Sequence, residues 1–233
     1  MSALSVLLRK ELHATFTSPI AYTVGGVFLL VIGYTFSLTL FFTKVANLTY
    51  IFHQMYVLLV LLVPVLTMRA FAEERKTDTL ELLLTAPVRE IWIVLAKFLA
   101  ALTLVVALLA VSGVYAVILG HYGQPDWGPI YGGYLALVLL AVLLIAVGVF
   151  ASGLTENQVV AAALSLGTFL MLWFADSVSY LLPAPLDAFV VNLSLIGHFT
   201  TFVSGSLFLS DAGYYLSLAL LALFLTTRVV ADR

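Results

Sequence analysis

The chain has no cysteine and almost no charge. With zero cysteines in 233 residues, disulfides, thiolate catalysis and cysteine-ligated metals are excluded. Lys and Arg number 10 and Asp and Glu 12, so only 9% of the chain is charged, where a soluble domain carries about a quarter. A Gly-Lys pair never occurs, which removes the P-loop and with it that route to nucleotide hydrolysis. The four histidines, His13, His53, His121 and His198, never fall at metal-ligand spacing, and each reads as an interfacial or capping residue rather than a ligand. A net charge of −2 argues against nucleic acid as a partner.

Apolar residues fill the chain instead. Hydrophobic side chains make up 63% of the sequence, an excess that needs lipid as its solvent. The first residues carry Arg9 and Lys10 after a short apolar run, the reverse of a cleavable signal. The fold class expected is therefore an all-α polytopic membrane protein.

Residues 3–18 place Leu4, Leu8, Leu12 and Phe16 four apart with Leu7 beside them, and Arg9, Lys10 and His13 opposite. That spacing predicts a helix lying in the membrane interface, ended by Pro19; a disordered tail is the plainer alternative. Uncharged runs then predict spans at about 20–42, 52–71, 91–119, 131–151, 159–182 and 212–230. Pro64 reads as a kink, and Trp92 and Lys97 read as headgroup anchors at the start of the third span. The turn-rich stretch 121–129 reads as a loop, and 152–157 as a tight polar turn. Residues 188–209 are apolar but interrupted by Asn192, Ser194, His198, Thr200, Thr201, Ser204 and Ser206, and charge placement decides how to read them. Six spans put every basic residue except Lys44 at one end with both termini, which positive-inside bias makes cytoplasmic. A seventh would strand Arg228 and Arg233, so 188–209 reads as re-entrant or interfacial helices. The whole is one transmembrane domain, 1–233, with no solenoid repeat.

The water-facing island is 69–90, which holds Arg69, Arg75, Lys76 and Arg89 with Glu73, Glu74, Asp78, Glu81 and Glu90. Asp78 and Glu81 fit a capping box. Leu80, Leu83 and Leu84 follow at i, i+3 and i+4, and Pro87 closes the element. This predicts a two-turn amphipathic helix over about 78–87. So short a helix is marginal in water and must pack on a partner; an ordinary solvated connection is the alternative. Serines in 203–206 and 111–113 fit no nucleophile-elbow pattern, and Glu73-Glu74 lacks the rest of a glutamate-protease motif. The chain is expected not to be an enzyme. Asp176, the deepest acid, is either a pathway carboxylate or one within reach of headgroup water.

At these residues the sequence resembles the ABC-2 family of ATP-binding-cassette permeases. The run from Phe71 through Glu73-Glu74-Arg75-Lys76, Asp78-Thr79-Leu80-Glu81-Leu82-Leu83-Leu84 to Pro87-Val88 is similar to the family's coupling-helix pattern, with Asp78 where glycine is usual and Ala96 before Lys97 where glycine is common. Ser194 to Phe199 and Phe202 to Asp211 resemble the gliding-motility subgroup, with Ser204 replacing its arginine. The resemblance implies an interfacial N-terminal helix, six spans, a cytoplasmic coupling helix between spans two and three, and short helices before span six. It implies separate P-loop ATPase subunits gripping Glu73, Glu74, Arg75, Asp78, Thr79, Leu80, Glu81, Leu83, Leu84 and Pro87. It also implies a second permease copy or homologue, an auxiliary protein with a periplasmic domain, and a place in a bacterial or archaeal cytoplasmic (inner) membrane. The function implied is ATP-driven substrate movement, with export as the direction, and no cofactor on this chain, ATP being bound by the partner. A membrane scaffold that anchors an ATPase without transporting is the other reading.

Overall fold

A computed structural model of the protein describes residues 3–43, 47–79, 89–183 and 185–231. Ten helices run in chain order through these residues: α1 (Ala3–Thr17), α2 (Pro19–Thr43), α3 (Thr49–Thr67), α4 (Ala72–Lys76), α5 (Glu90–Tyr122), α6 (Trp127–Leu154), α7 (Gln158–Ser179), α8 (Leu186–Val191), α9 (Leu195–Val203) and α10 (Leu209–Ala231). Six helices are long and apolar enough to cross a membrane: α2, α3 continuing through α4, α5, α6, α7 and α10. In hydrocarbon a helix satisfies every backbone group within its own segment, and uncharged runs of this length fold accordingly.

The most buried span is α6. It packs against α3, α5, α7, α9 and α10, and from Ile130 to Gly153 it is buried on nearly every side. Two glycines permit the close approaches. A Cβ at Gly148 would collide with the Thr67 hydroxyl of α3, and one at Gly132 with the Phe202 carbonyl of α9. Small residues let helix backbones meet where lipid offers no hydrophobic drive.

Several element ends differ from the sequence expectation. The stretch read as a loop over 121–129 is helical except at 123–126. Asp126 caps α6 by accepting the Gly128 N–H at 3.1 Å. Pro129 falls in the first turn of α6, where N–H groups have no intrahelical partner and proline is tolerated. The fourth span also continues to Leu154, so Ser152 lies in a buried helical turn rather than in the polar turn expected at 152–157. The fifth span stops at Ser179, a few residues short of Pro183.

At the far end from α1, the stretch before α10 forms the two short helices α8 and α9. Asp211, in the first turn of α10, ties them down. Its carboxylate meets His198 Nδ1 at 2.8 Å and accepts the Thr201 hydroxyl at 2.5 Å. Tyr214 and Tyr215 add hydroxyl bonds to the Leu193 and Leu195 carbonyls at 2.7 and 2.9 Å. His198, read from sequence as a capping or interfacial residue, is thus the partner of a buried carboxylate. The other ring nitrogen, Nε2, lies 3.2 Å from the Asn192 carbonyl.

Candidate functional site: the ion-paired end of the bundle

The basic end is built around α4, a five-residue helix that cannot stand alone. Two devices hold it. The first fixes its backbone. The Ser152 hydroxyl of α6 accepts the Phe71 and Ala72 N–H groups at 2.9 and 3.0 Å and donates to the Met68 carbonyl at 3.0 Å. The ladder of α3 has ended there and that of α4 has not begun, so these groups need an outside partner.

The second device fixes its side chains. Lys97, one residue beyond the second turn of α5, is only 7% exposed and lies over the Phe71 ring, 5.3 Å from its centroid. Its ammonium is 2.8 Å from Glu74 of α4 and 3.3 Å from Glu11 of α1. Lys10 completes the cluster from the rim, 3.6 Å from Glu11 and 3.7 Å from Glu74. A buried ammonium survives only when paired in this way. The headgroup-anchor reading of Lys97 is therefore corrected: it points into the protein and joins three elements.

The expected partner-facing residues divide accordingly. Glu74 is turned inward onto Lys97, and Arg75 is buried at 7% exposure. Glu73 stays at the surface, beside Arg69 at 3.8 Å. Thr79 is exposed, and its hydroxyl donates to the Glu74 carbonyl at 3.3 Å. Leu80, Glu81, Leu83, Leu84 and Pro87 lie outside the described residues, as does all of the helix expected over 78–87 beyond Asp78 and Thr79.

Asp78 has a φ of 56°, the left-handed region that glycine occupies without cost. Its N–H bonds the Arg75 carbonyl at 3.2 Å, closing the end of α4 as a left-handed C-terminal residue does. An N-cap residue usually takes an extended φ instead, so the backbone of Asp78 is that of a residue ending α4; Glu81, its expected capping-box partner, lies outside the described residues. Asp78→Gly should leave the thermal midpoint unchanged or raise it. Asp78→Val should cost about 1–2 kcal/mol of stability and lower the midpoint, because a β-branched side chain is strained there; thermal unfolding in detergent measures both.

Asp176 is half-buried in the last turn of α7. The Ser179 hydroxyl donates to its backbone carbonyl at 2.6 Å, and its carboxylate has no ion-pair partner among the described residues. Among the described residues the frame at the basic end is a more developed polar site than Asp176.

The family model for ABC-2 family transporter protein matches residues 28–227. The chain belongs to the ABC-2 family. This ABC-2 protein is thus a multi-pass membrane permease of an ABC transporter, and membership implies an ATPase partner in general. A search among curated proteins found no match to the chain.

Sequence reasoning missed Glu11 and Ser152. Glu11 carried a signal: it lies at i+4 from Leu7 on the covered side of α1, where an unpaired acid would be costly. Ser152 carried none beyond being a small polar residue.

Proposed function

We propose that this permease couples ATP hydrolysis on separate P-loop ATPase subunits to substrate export. In this reading 69–90 is the cytoplasmic contact, both termini are cytoplasmic, and two copies, or this chain and a homologue, form the membrane unit. ATP is bound and turned over on the partner, and this chain carries neither catalytic residue nor cofactor. Membership of the gliding-motility-like subgroup, and an auxiliary subunit with a periplasmic domain, rest on the pattern around Ser194–Asp211 and belong to the same proposal.

The observation that carries it is the fastening of α4. A mere connection between two spans needs no buried lysine and no shared hydroxyl. A segment that must transmit displacement needs both, since a ligand shifts an equilibrium only through contacts that differ between its states. Force applied at 77–90 would pass through Glu74 and Lys97 to α1 and α5, and through Ser152 to the central α6.

Leu80→Asp combined with Leu84→Asp tests the contact. Removing two apolar anchors is expected to weaken association with the cognate ATPase at least about tenfold, read by co-purification and by ATP turnover of the assembled complex. Unchanged assembly and turnover would overturn the reading.

A further inference from the structure

Beside the Lys97 cluster, a cavity of about 430 Å³ opens between the α1–α2 corner and the ends of α3 and α5. Its volume falls in the range of about 300–1,000 Å³ found for small-molecule sites. Its lining combines apolar residues, among them Pro19, Ile20, Leu66 and Ala101, with polar residues that carry both signs of charge. We propose that it seats one membrane phospholipid whose headgroup bears a primary ammonium, of the phosphatidylethanolamine class. This goes beyond the proposed coupling role and does not depend on it.

The polar lining offers donors that make no hydrogen bond among the described residues. Arg69 stands 3.8 Å from Glu73, beyond hydrogen-bond distance, and has no hydrogen bond among the described residues. The Thr15 and Ser18 hydroxyls also line the cavity and lack a partner among the described residues. Other helix hydroxyls nearby, Thr17 and Thr23, bond back to carbonyls one turn earlier at 2.7 and 2.9 Å. A guanidinium flanked by two free hydroxyls is a donor set for a phosphate.

The same lining also holds an unused acceptor. Glu11, Glu73 and Glu74 oppose Arg69 and Lys97 there, and the Lys97 ammonium is already held by Glu11 and Glu74. Glu74 Oε2 is buried with no hydrogen-bond partner among the described residues. A purely anionic headgroup could use Arg69 but would supply no donor to Glu74 Oε2, and the three carboxylates are already balanced by Arg69, Lys97 and Lys10. A trimethylammonium head would bring a cation that donates no hydrogen bond. A primary ammonium supplies three donors beside a phosphate, and the apolar lining residues take the glycerol and the first acyl carbons.

The test is native mass spectrometry of the protein released from nanodiscs containing equal amounts of phosphatidylethanolamine, phosphatidylglycerol and phosphatidylcholine with identical acyl chains. The expected result is one phosphatidylethanolamine adduct favoured by about tenfold over either other lipid, the discrimination of one charge-assisted hydrogen bond. Arg69→Gln, at a position whose side chain is 45% exposed, and Ala101→Trp, which adds bulk to the cavity lining without changing its charges, should each abolish the preference. Equal retention of the three lipids by the wild type would overturn the proposal. So would a preference that persists in monodisperse Arg69→Gln, whether or not Ala101→Trp folds. Displacement of the adduct by equimolar glycerophosphoethanolamine, which has the headgroup without acyl chains, would also overturn it by assigning the cavity to a soluble zwitterion.

Discussion

Replacing Lys97 with methionine is expected to cost about 3–5 kcal/mol of stability, the penalty for removing one partner of a buried ion pair. Methionine keeps the length and apolar body of the lysine, so packing against Phe71 is largely retained and the loss reports the charge. The Lys97 side chain is 5% exposed and those of Glu11 and Glu74 are 15% and 17%. Without the ammonium, two carboxylates face one another in a poorly hydrated pocket, with only the peripheral Lys10 between them. Neutralising them should therefore recover much of the loss: the triple variant Lys97→Met, Glu11→Gln, Glu74→Gln should be more stable than Lys97→Met alone. Buried ion pairs replaced as a set are often close to neutral, whereas half of one is not. Tryptophan-monitored thermal unfolding in detergent gives the stabilities. Hydrogen exchange locates the effect, which should fall on α1 and α4 while α6 stays protected. A Lys97→Met protein with wild-type stability would show that the cluster is solvated.

What could be read from the sequence follows from how each feature is encoded. The spans are written in runs of neighbouring residues, and the charged island at 69–90 stands out because nothing around it is charged. The left-handed turn at Asp78 was missed, because the spacing of Asp78 and Glu81 suggested a capping box and the glycine usual there in the family pattern was not read as a demand for positive φ. The frame that holds the island was not visible, because its bonds join distant segments. Lys97 and Glu11 are 86 residues apart, and Phe71 and Ser152 are 81 apart. Periodicity tells which residues share a face, but not what that face meets. Lysine near a span end is usually a headgroup anchor, and only the arrival of α1 and α4 on the same side of α5 makes Lys97 a buried partner. Ser152 was hidden for a different reason. The following Gly153 and the polar run to Asn157 look like a turn, yet Gly153 sits against Thr226 of α10 and the helix continues through it. Asp211 and His198 were each legible as polar residues in an apolar stretch; their pairing depends on α9 folding back onto α10.

Ser152→Ala is expected to cost about 2–4 kcal/mol, nearly all of it local. The substitution removes one oxygen and leaves two backbone N–H groups without partners, at Phe71 and Ala72, both 0% exposed. Each orphaned buried donor costs about 1–3 kcal/mol, with some recovered if the chain relaxes or a water enters. Ala fills the serine's volume almost completely, so packing around Thr67 and Phe71 changes little and the hydrogen bonds alone are tested. Amides 71–76 should lose exchange protection while those in the middle of α6 keep theirs. Uniform loss across all helices would instead mark Ser152 as a general packing residue. The comparison with Lys97 decides whether α4 is a single mechanical unit. Ser152 holds its backbone and Lys97 its side chain, from two different spans. If α4 docks or releases as one piece, the first variant already undocks it and the second has less to remove. The double variant should then be more stable than the sum of the two losses predicts by about 0.5 kcal/mol or more, the coupling typical of residues sharing one structural element. Additivity within about 0.3 kcal/mol would mean that α4 yields residue by residue, and a segment of that kind could not carry displacement from a partner into the membrane.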